Sequence, residues 1–294
     1  MSVRCRGGAA GRSSGAPYSG GVSIPLSLQP SLPDADDPLT FRLLVADRPG
    51  RAQAEPDDPV ARSMIGAPRL TVDAWLTVRA SAPPEPEAEP APVDEMDRLI
   101  GMMPGRIAPP TERLGDGTLV DLDRDPAGLD APWDEAGATL LPVAVDQLGE
   151  AIALTRSHPD VGERLIVVPE TLGADPAAVL AEPIEAGLGF GLDLSWPRDT
   201  LADALALLAH GSGPLLLRAA DTAGVIAGLS GVIAALTGFD IRQALDTDEP
   251  DRLTGLNVFA AAAVRELLYA ISVPDPEAVA ADLTALGLGV PRRS

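Results

Sequence analysis

From residue 138 onward the chain alternates apolar helical stretches with short, continuously apolar runs, and no other feature restricts its fold as tightly. Strand-like runs begin at 164 (RLIVVP), 189 (GFGLDL) and 214 (PLLLR). Helical stretches are expected over 145–157, 176–186, 200–209, 223–236, 256–268 and 276–286. Further strands are expected at 239–242 and 271–273. Strands that are apolar on both faces and lie between helices belong to a parallel sheet covered on both sides. Crossovers in such a sheet are right-handed, so it either stays open and doubly wound or closes into a (β/α) barrel.

An internal echo supports a repeating βα unit. Residues 175–189 read DPAAVLAEPIEAGLG and residues 275–289 read DPEAVAADLTALGLG. Asp175 and Asp275 each stand one residue before a Pro, the arrangement of an N-cap followed by Pro at the first helical position. Gly187 and Gly287 stand where a left-handed C-terminal cap would fall. Duplication and convergence both produce this wording, and both give the same architecture.

Upstream, the texture differs. LTFRLLVAD at 39–47 and LTVDAWLTVRA at 70–80 read as strands, the second alternating apolar and polar side chains. Residues 82–93 (APPEPEAEPAPV) form an acidic, Pro-rich linker that should be extended. The Gly-, Ser- and Arg-rich stretch over 1–35 lacks the apolar segment of a secretory signal and reads as a disordered tail, or as translation from too early a start codon. The expected class is therefore α/β. A parallel sheet or (β/α) barrel-like domain spans 138–290, preceded by a small β-containing region at 36–81. A disordered tail covers 1–35, and linker and loops cover 82–137.

Composition removes several chemistries. All 22 basic residues are Arg, so no Schiff base, pyridoxal-phosphate anchor or P-loop lysine can exist. Cys5 is the sole cysteine, which rules out an intrachain disulfide and points to a reducing, cytoplasmic setting. A net charge of −21 disfavours nucleic acid and anionic membrane surfaces as partners. The uncharged run 222–239 approaches the length of a membrane span, but Asp221 and Asp240 flank it without basic or aromatic anchors, so a buried helix is expected. Gly224, Gly228 and Gly231 share a face of that helix and would let another backbone approach. His158 and His210 both fall at helix ends, where a cation faces the helix dipole. From residue 138 onward there is no G-x-S-x-G elbow and no phosphate loop in strand–loop–helix order.

Polar residues at strand ends remain. In either parallel architecture the carboxyl ends of the strands form the ligand-binding face. Helix capping accounts for Asp175, Asp199, Asp221 and Asp275. It does not account for Glu170 after RLIVVP, Asp193 in GFGLDL or Arg218 after PLLL. Two carboxylates there suit Mg²⁺, and an arginine suits a small anionic ligand.

The stretches VVPETLGA (167–174) and GLDLSW (191–196) resemble the citrate-lyase β-subunit and aldolase family of Mg²⁺-dependent α/β barrels. That resemblance implies Glu170 and Asp193 as metal ligands and places Arg79, in LTVRA, near the substrate-binding arginine. The family's acidic D-L-E-D run is missing, and its Pro-Lys strand reads LPVAV here. Two function classes follow. One is a non-catalytic or degenerate barrel-like protein acting in binding or assembly. The other is a Mg²⁺-dependent C–C lyase acting on a small carboxylate.

Overall fold

The computed structural model describes residues 39–40, 42–49, 58–66, 68–74, 118–122, 136–158, 165–173, 175–247 and 249–288. Its elements run β1 (Leu44–Ala46), α1 (Pro59–Met64), β2 (Arg69–Thr71), β3 (Thr118–Asp121), β4 (Ala136–Val143), a 3-10 turn (Val145–Gln147) and α2 (Leu148–Ser157). They continue with β5 (Leu165–Pro169), α3 (Pro176–Glu185), β6 (Gly189–Asp193), α4 (Arg198–Leu208), β7 (Leu215–Arg218) and α5 (Thr222–Thr237). The last are α6 (Ile241–Leu245), α7 (Asp251–Thr254), α8 (Val258–Leu267), β8 (Leu268–Val273) and α9 (Pro276–Ala285).

All eight strands join one parallel sheet in the order β1-β8-β7-β6-β5-β4-β3-β2. The two edges meet again where Leu44 bridges Ile65, just before β2, and Gly66 N–H donates to Leu44 O at 2.7 Å. The sheet is a nearly closed (β/α) barrel, and this decides between the two architectures the sequence left open.

Side-chain alternation divides the core into two layers. Val45, Leu119, Leu140, Ile166, Leu216 and Ala270 form one apolar cluster. Their strand neighbours Leu44, Val120, Leu165, Val167, Leu215 and Ile271 belong to a second cluster that also contains helix residues such as Leu201 and Leu229. The first cluster is therefore the barrel interior and the second is the sheet–helix layer.

Strand β6 explains its own glycines. Phe190 and Leu192 face the helices, so Gly189 and Gly191 face inward. A Cβ on Gly191 would lie 2.9 Å from Val168 Cγ2, and one on Gly189 would lie 3.0 Å from Ile166 Cγ1. The interior has no room for side chains at either position.

The echo at 175–189 and 275–289 is also an echo of structure. Asp175 accepts from Ala178 N–H at 3.2 Å, and Asp275 accepts from Ala278 N–H at 3.1 Å. Pro176 and Pro276 open their helices, and Gly187 and Gly287 follow with φ of 74° and 76°.

Several elements depart from expectation. Of the strand read over 70–80, the described part ends at Thr71, where Thr71 Oγ1 accepts from Ala74 N–H at 3.3 Å and Val72–Ala74 are helical; residues 75–80 lie outside the described residues. The stretch 104–137, read as loop, contains β3 and the start of β4. The strand expected at 239–242 is instead an N-cap and helix: Asp240 accepts from Gln243 N–H at 3.1 Å and α6 begins. Asp199 lies inside the first turn of α4 rather than capping it, and it accepts from Arg242 Nε at 2.6 Å. Arg242 also reaches Asp203 at 2.8 Å, so α6 is clamped onto α4. The hydrogen bond to Asp199, followed by the charge of Asp203, holds the Arg242 guanidinium above its ordinary pKa.

Helix α5 is buried over most of its length. Its glycines make room for side chains rather than for a backbone: Gly228 faces Leu194 and Leu217, and Gly231 faces Leu245 and Leu205. Among the described residues no helix is long and apolar enough to cross a membrane. Arg79, Cys5, the tail 1–35 and the linker 82–93 lie outside the described residues.

Candidate functional site

The inward positions turn polar at the carboxyl end of the barrel. Asp193 is the last residue of β6 and Arg218 the last of β7, and the two are register partners. Arg218 pairs in turn with Ser272 of β8. Asp47 directly follows β1, where its N–H donates to Val273 O at 2.9 Å. Alternation puts Asp193 in the series of Gly189 and Gly191, Arg218 in that of Leu216, and Asp47 in that of Val45, so all three point toward the barrel mouth.

These residues open onto a cleft of about 680 Å³. Its walls come from four strand ends, represented by Asp47, Asp193, Arg218 and Pro274, and from the first turns of α5. Leu245, Asp246 and Thr247, at the end of α6, close the far side. The floor is small and apolar, including Ala223, Gly224 and Ala227. Larger residues at these positions would narrow the cleft.

The polar groups differ in how fully they are engaged. Asp193 Oδ1 accepts from Ser195 N–H at 2.9 Å, while Oδ2 stands 3.8 Å from Arg218 Nη1. Arg218 is 53% exposed, and among the described residues Asp193 is its one ion-pair partner. Arg198 Nε pairs with Asp246 Oδ1 at 3.2 Å across the outer wall. Asp221 accepts from Gly224 N–H at 2.8 Å as the N-cap of α5. Asp47 is only 12% exposed, and among the described residues its nearest cation is Arg48, 4.0 Å away on a side chain 82% exposed.

Beside the cleft, Arg69 stitches three strands together. Its Nε donates to Asp121 Oδ1 at 2.8 Å, and its Nη1 donates to Asp47 O at 2.7 Å. Both side chains of this ion pair are largely buried, at 13% and 18% exposure. The guanidinium fixes the backbone from which the Asp47 carboxylate projects.

Comparison with family models, with curated proteins and with solved structures returns no match. The resemblance carried by 167–196 therefore has only its own few residues behind it, and the site stands on its geometry.

Of the residues singled out in the sequence, Asp193 and Arg218 meet and both line the cleft. Glu170 follows β5 with its N–H donating to Val143 O at 3.3 Å; it is exposed and does not line the cleft. The described residues contain no group of three His, Cys, Asp or Glu side chains placed to hold a metal ion. Asp193 is also already engaged by Ser195 and Arg218. The donor set that Mg²⁺ would need is not assembled among them.

His158 is the C-cap of α2, and His210 lies in the turn after α4; neither lines the cleft. Sequence reasoning missed Asp47, Arg69 and Asp121. Asp47 carried the same signal as Glu170, a charge immediately after an apolar strand. It was missed because β1 lies in the N-terminal region, apart in sequence from the strands that carry the other candidates.

Proposed function

We propose that this chain is a small-molecule-binding (β/α) barrel that holds a carboxylate-bearing ligand in the cleft at the ends of β6, β7 and β8, with Arg218 as the anchor. The observation that carries this reading is the loose engagement of Arg218. Its half-exposed guanidinium faces the cleft, and its partner Asp193 stands 3.8 Å away, beyond hydrogen-bond distance. A planar fork of N–H donors offered at a concave strand-end site is what a carboxylate takes up in a bidentate manner.

Binding rather than catalysis is favoured by the lining. No His, Cys or Glu is among the described residues of the cleft, and three of its four aspartates are already engaged: Asp193 by Ser195 N–H, Asp221 by Gly224 N–H and Asp246 by Arg198. The net charge of −21 argues against nucleic acid or an anionic membrane as the partner, and the single Cys5 accords with a cytoplasmic location.

The test is thermal unfolding with a panel of small mono- and dicarboxylates, for wild type and Arg218→Gln, with NaCl as the ionic-strength control. A ligand at a hundred times its Kd adds about 2.7 kcal/mol of stability. Wild type should gain melting temperature with at least one carboxylate, and Arg218→Gln should gain none. No shift in wild type, or equal shifts in both proteins, contradicts the reading.

A further inference from the structure

We infer that the ligand of this cleft is an amino carboxylic acid, its carboxylate on Arg218 and its ammonium on Asp47. The inference rests on the proposed carboxylate-binding role of Arg218 and names the class of ligand more narrowly.

Charge bookkeeping in the cleft points this way. Its lining holds four aspartates (Asp47, Asp193, Asp221, Asp246) and two arginines (Arg198, Arg218). Arg198 and Asp246 neutralise each other at 3.2 Å, and Asp221 is committed to the N-terminus of α5. Arg218 then stands between Asp193, on the neighbouring strand, and Asp47, two strands away across β8. A plain anion entering this space meets one loosely engaged cation between two carboxylates, in a chain of net charge −21. A zwitterion carries no net charge, so the surrounding field does not repel it.

Asp47 is the carboxylate left to take the ammonium. Asp193 already accepts from Ser195 N–H and faces Arg218. Asp47 is mostly buried, at 12% exposure, yet its nearest described cation is 4.0 Å away on a solvent-exposed side chain. An ammonium in the cleft would meet this carboxylate partly sheltered from water, where opposite charges attract more strongly than at an open surface. Arg69 holds the backbone of Asp47 at 2.7 Å, which keeps the carboxylate in place before any ligand arrives. Strands lie about 4.8 Å apart and rise about 3.3 Å per residue, and Asp47 stands two residues beyond Val45, the position level with Arg218, so the two backbones are separated by about 12 Å. Arginine's long side chain and aspartate's short one shorten that span to the reach of a small molecule.

Calorimetry with matched pairs tests the inference: glycine against acetate, β-alanine against propionate, and 4-aminobutyrate against butyrate, on wild type, Asp47→Asn and Arg218→Gln. At one chain length the amino acid should bind wild type about tenfold more tightly than the plain acid, the equivalent of one favourable charge contact. Asp47→Asn should lose that preference while keeping its affinity for the plain acid. Arg218→Gln should lose both. If the plain acids bind as tightly as their amino partners at every length, the inference is overturned while the role of Arg218 stands. If no acid of either series binds wild type, the carboxylate-binding reading fails and takes this inference with it. Should Asp47→Asn not fold, the wild-type comparison of the matched pairs decides alone.

Discussion

Thr40 Oγ1 donates to Leu288 O at 3.1 Å, joining two residues that lie 248 positions apart in the chain. Thr40 is fully buried just before β1, and Leu288 is buried just after α9. The bond closes the βα cycle at the point where the sequence begins and ends its barrel. Thr40→Val keeps the shape and removes the donor, which leaves a buried carbonyl unpaired. Chemical denaturation should show a loss of about 1–3 kcal/mol with an unchanged m-value. A loss near zero would mean that water replaces the hydroxyl there.

The ion pair of Arg69 and Asp121 is shielded on both sides, and Arg69 also holds Asp47 O. Asp121→Ala leaves a largely buried guanidinium without its carboxylate. The expected cost is about 3 kcal/mol, read from the shift in the denaturation midpoint. The surface pairs of Arg242 should behave differently: Arg242→Ala is expected to cost about 1 kcal/mol or less, and the smaller cost should shrink further in high salt.

The repeated caps make a paired prediction. Asp175→Ala and Asp275→Ala remove side chains with the same acceptor geometry, within 0.1 Å of each other. Each should cost about 1 kcal/mol, and the two values should agree within a few tenths. Gly187→Ala and Gly287→Ala should form a second matched pair, because both residues hold φ near +75°. Unequal costs within either pair would show that tertiary context, not the local motif, sets the stability of these turns.

Gly191→Ala should be destabilising by about 1–3 kcal/mol, since the added methyl meets Val168 in a filled interior. Phe190, one residue away, faces the opposite layer and is fully buried. Phe190→Ala should cost about 3–5 kcal/mol by leaving a cavity. Thermal or chemical unfolding reads both.

Most βα units from 164 to 286 were legible because β5, β6 and β7 are short, largely apolar runs and α3, α5 and α9 each follow an aspartate cap and end before a glycine of positive φ; 239–242 was not, because its cap Asp240 sits where a strand was expected. β3 was not legible. Thr118–Asp121 is four residues long, with an acid at its end, and only its pairing with β2 and β4 makes it a strand. The strand alternation over 70–80 misled because Thr71 offered a local cap that a two-residue period does not reveal. At the site, Asp193 and Arg218 could be chosen because no helix cap needed them. Glu170 could not be separated from them without the third dimension. Asp47 lay hidden because its partners are β8 and Arg69, far away in sequence.

In the proposed binding mode Arg218 offers its guanidinium to a carboxylate in the cleft. A chain whose basic residues are all arginine allows this to be read cleanly, since phenylglyoxal meets no lysine. Labelling of the intact protein, mapped by peptide mass spectrometry with and without the stabilising carboxylate, follows each arginine separately. Arg218 should be modified in the free protein and protected by ligand, while exposed Arg48 should be modified equally in both. Arg218 labelled to the same extent with ligand bound would contradict it.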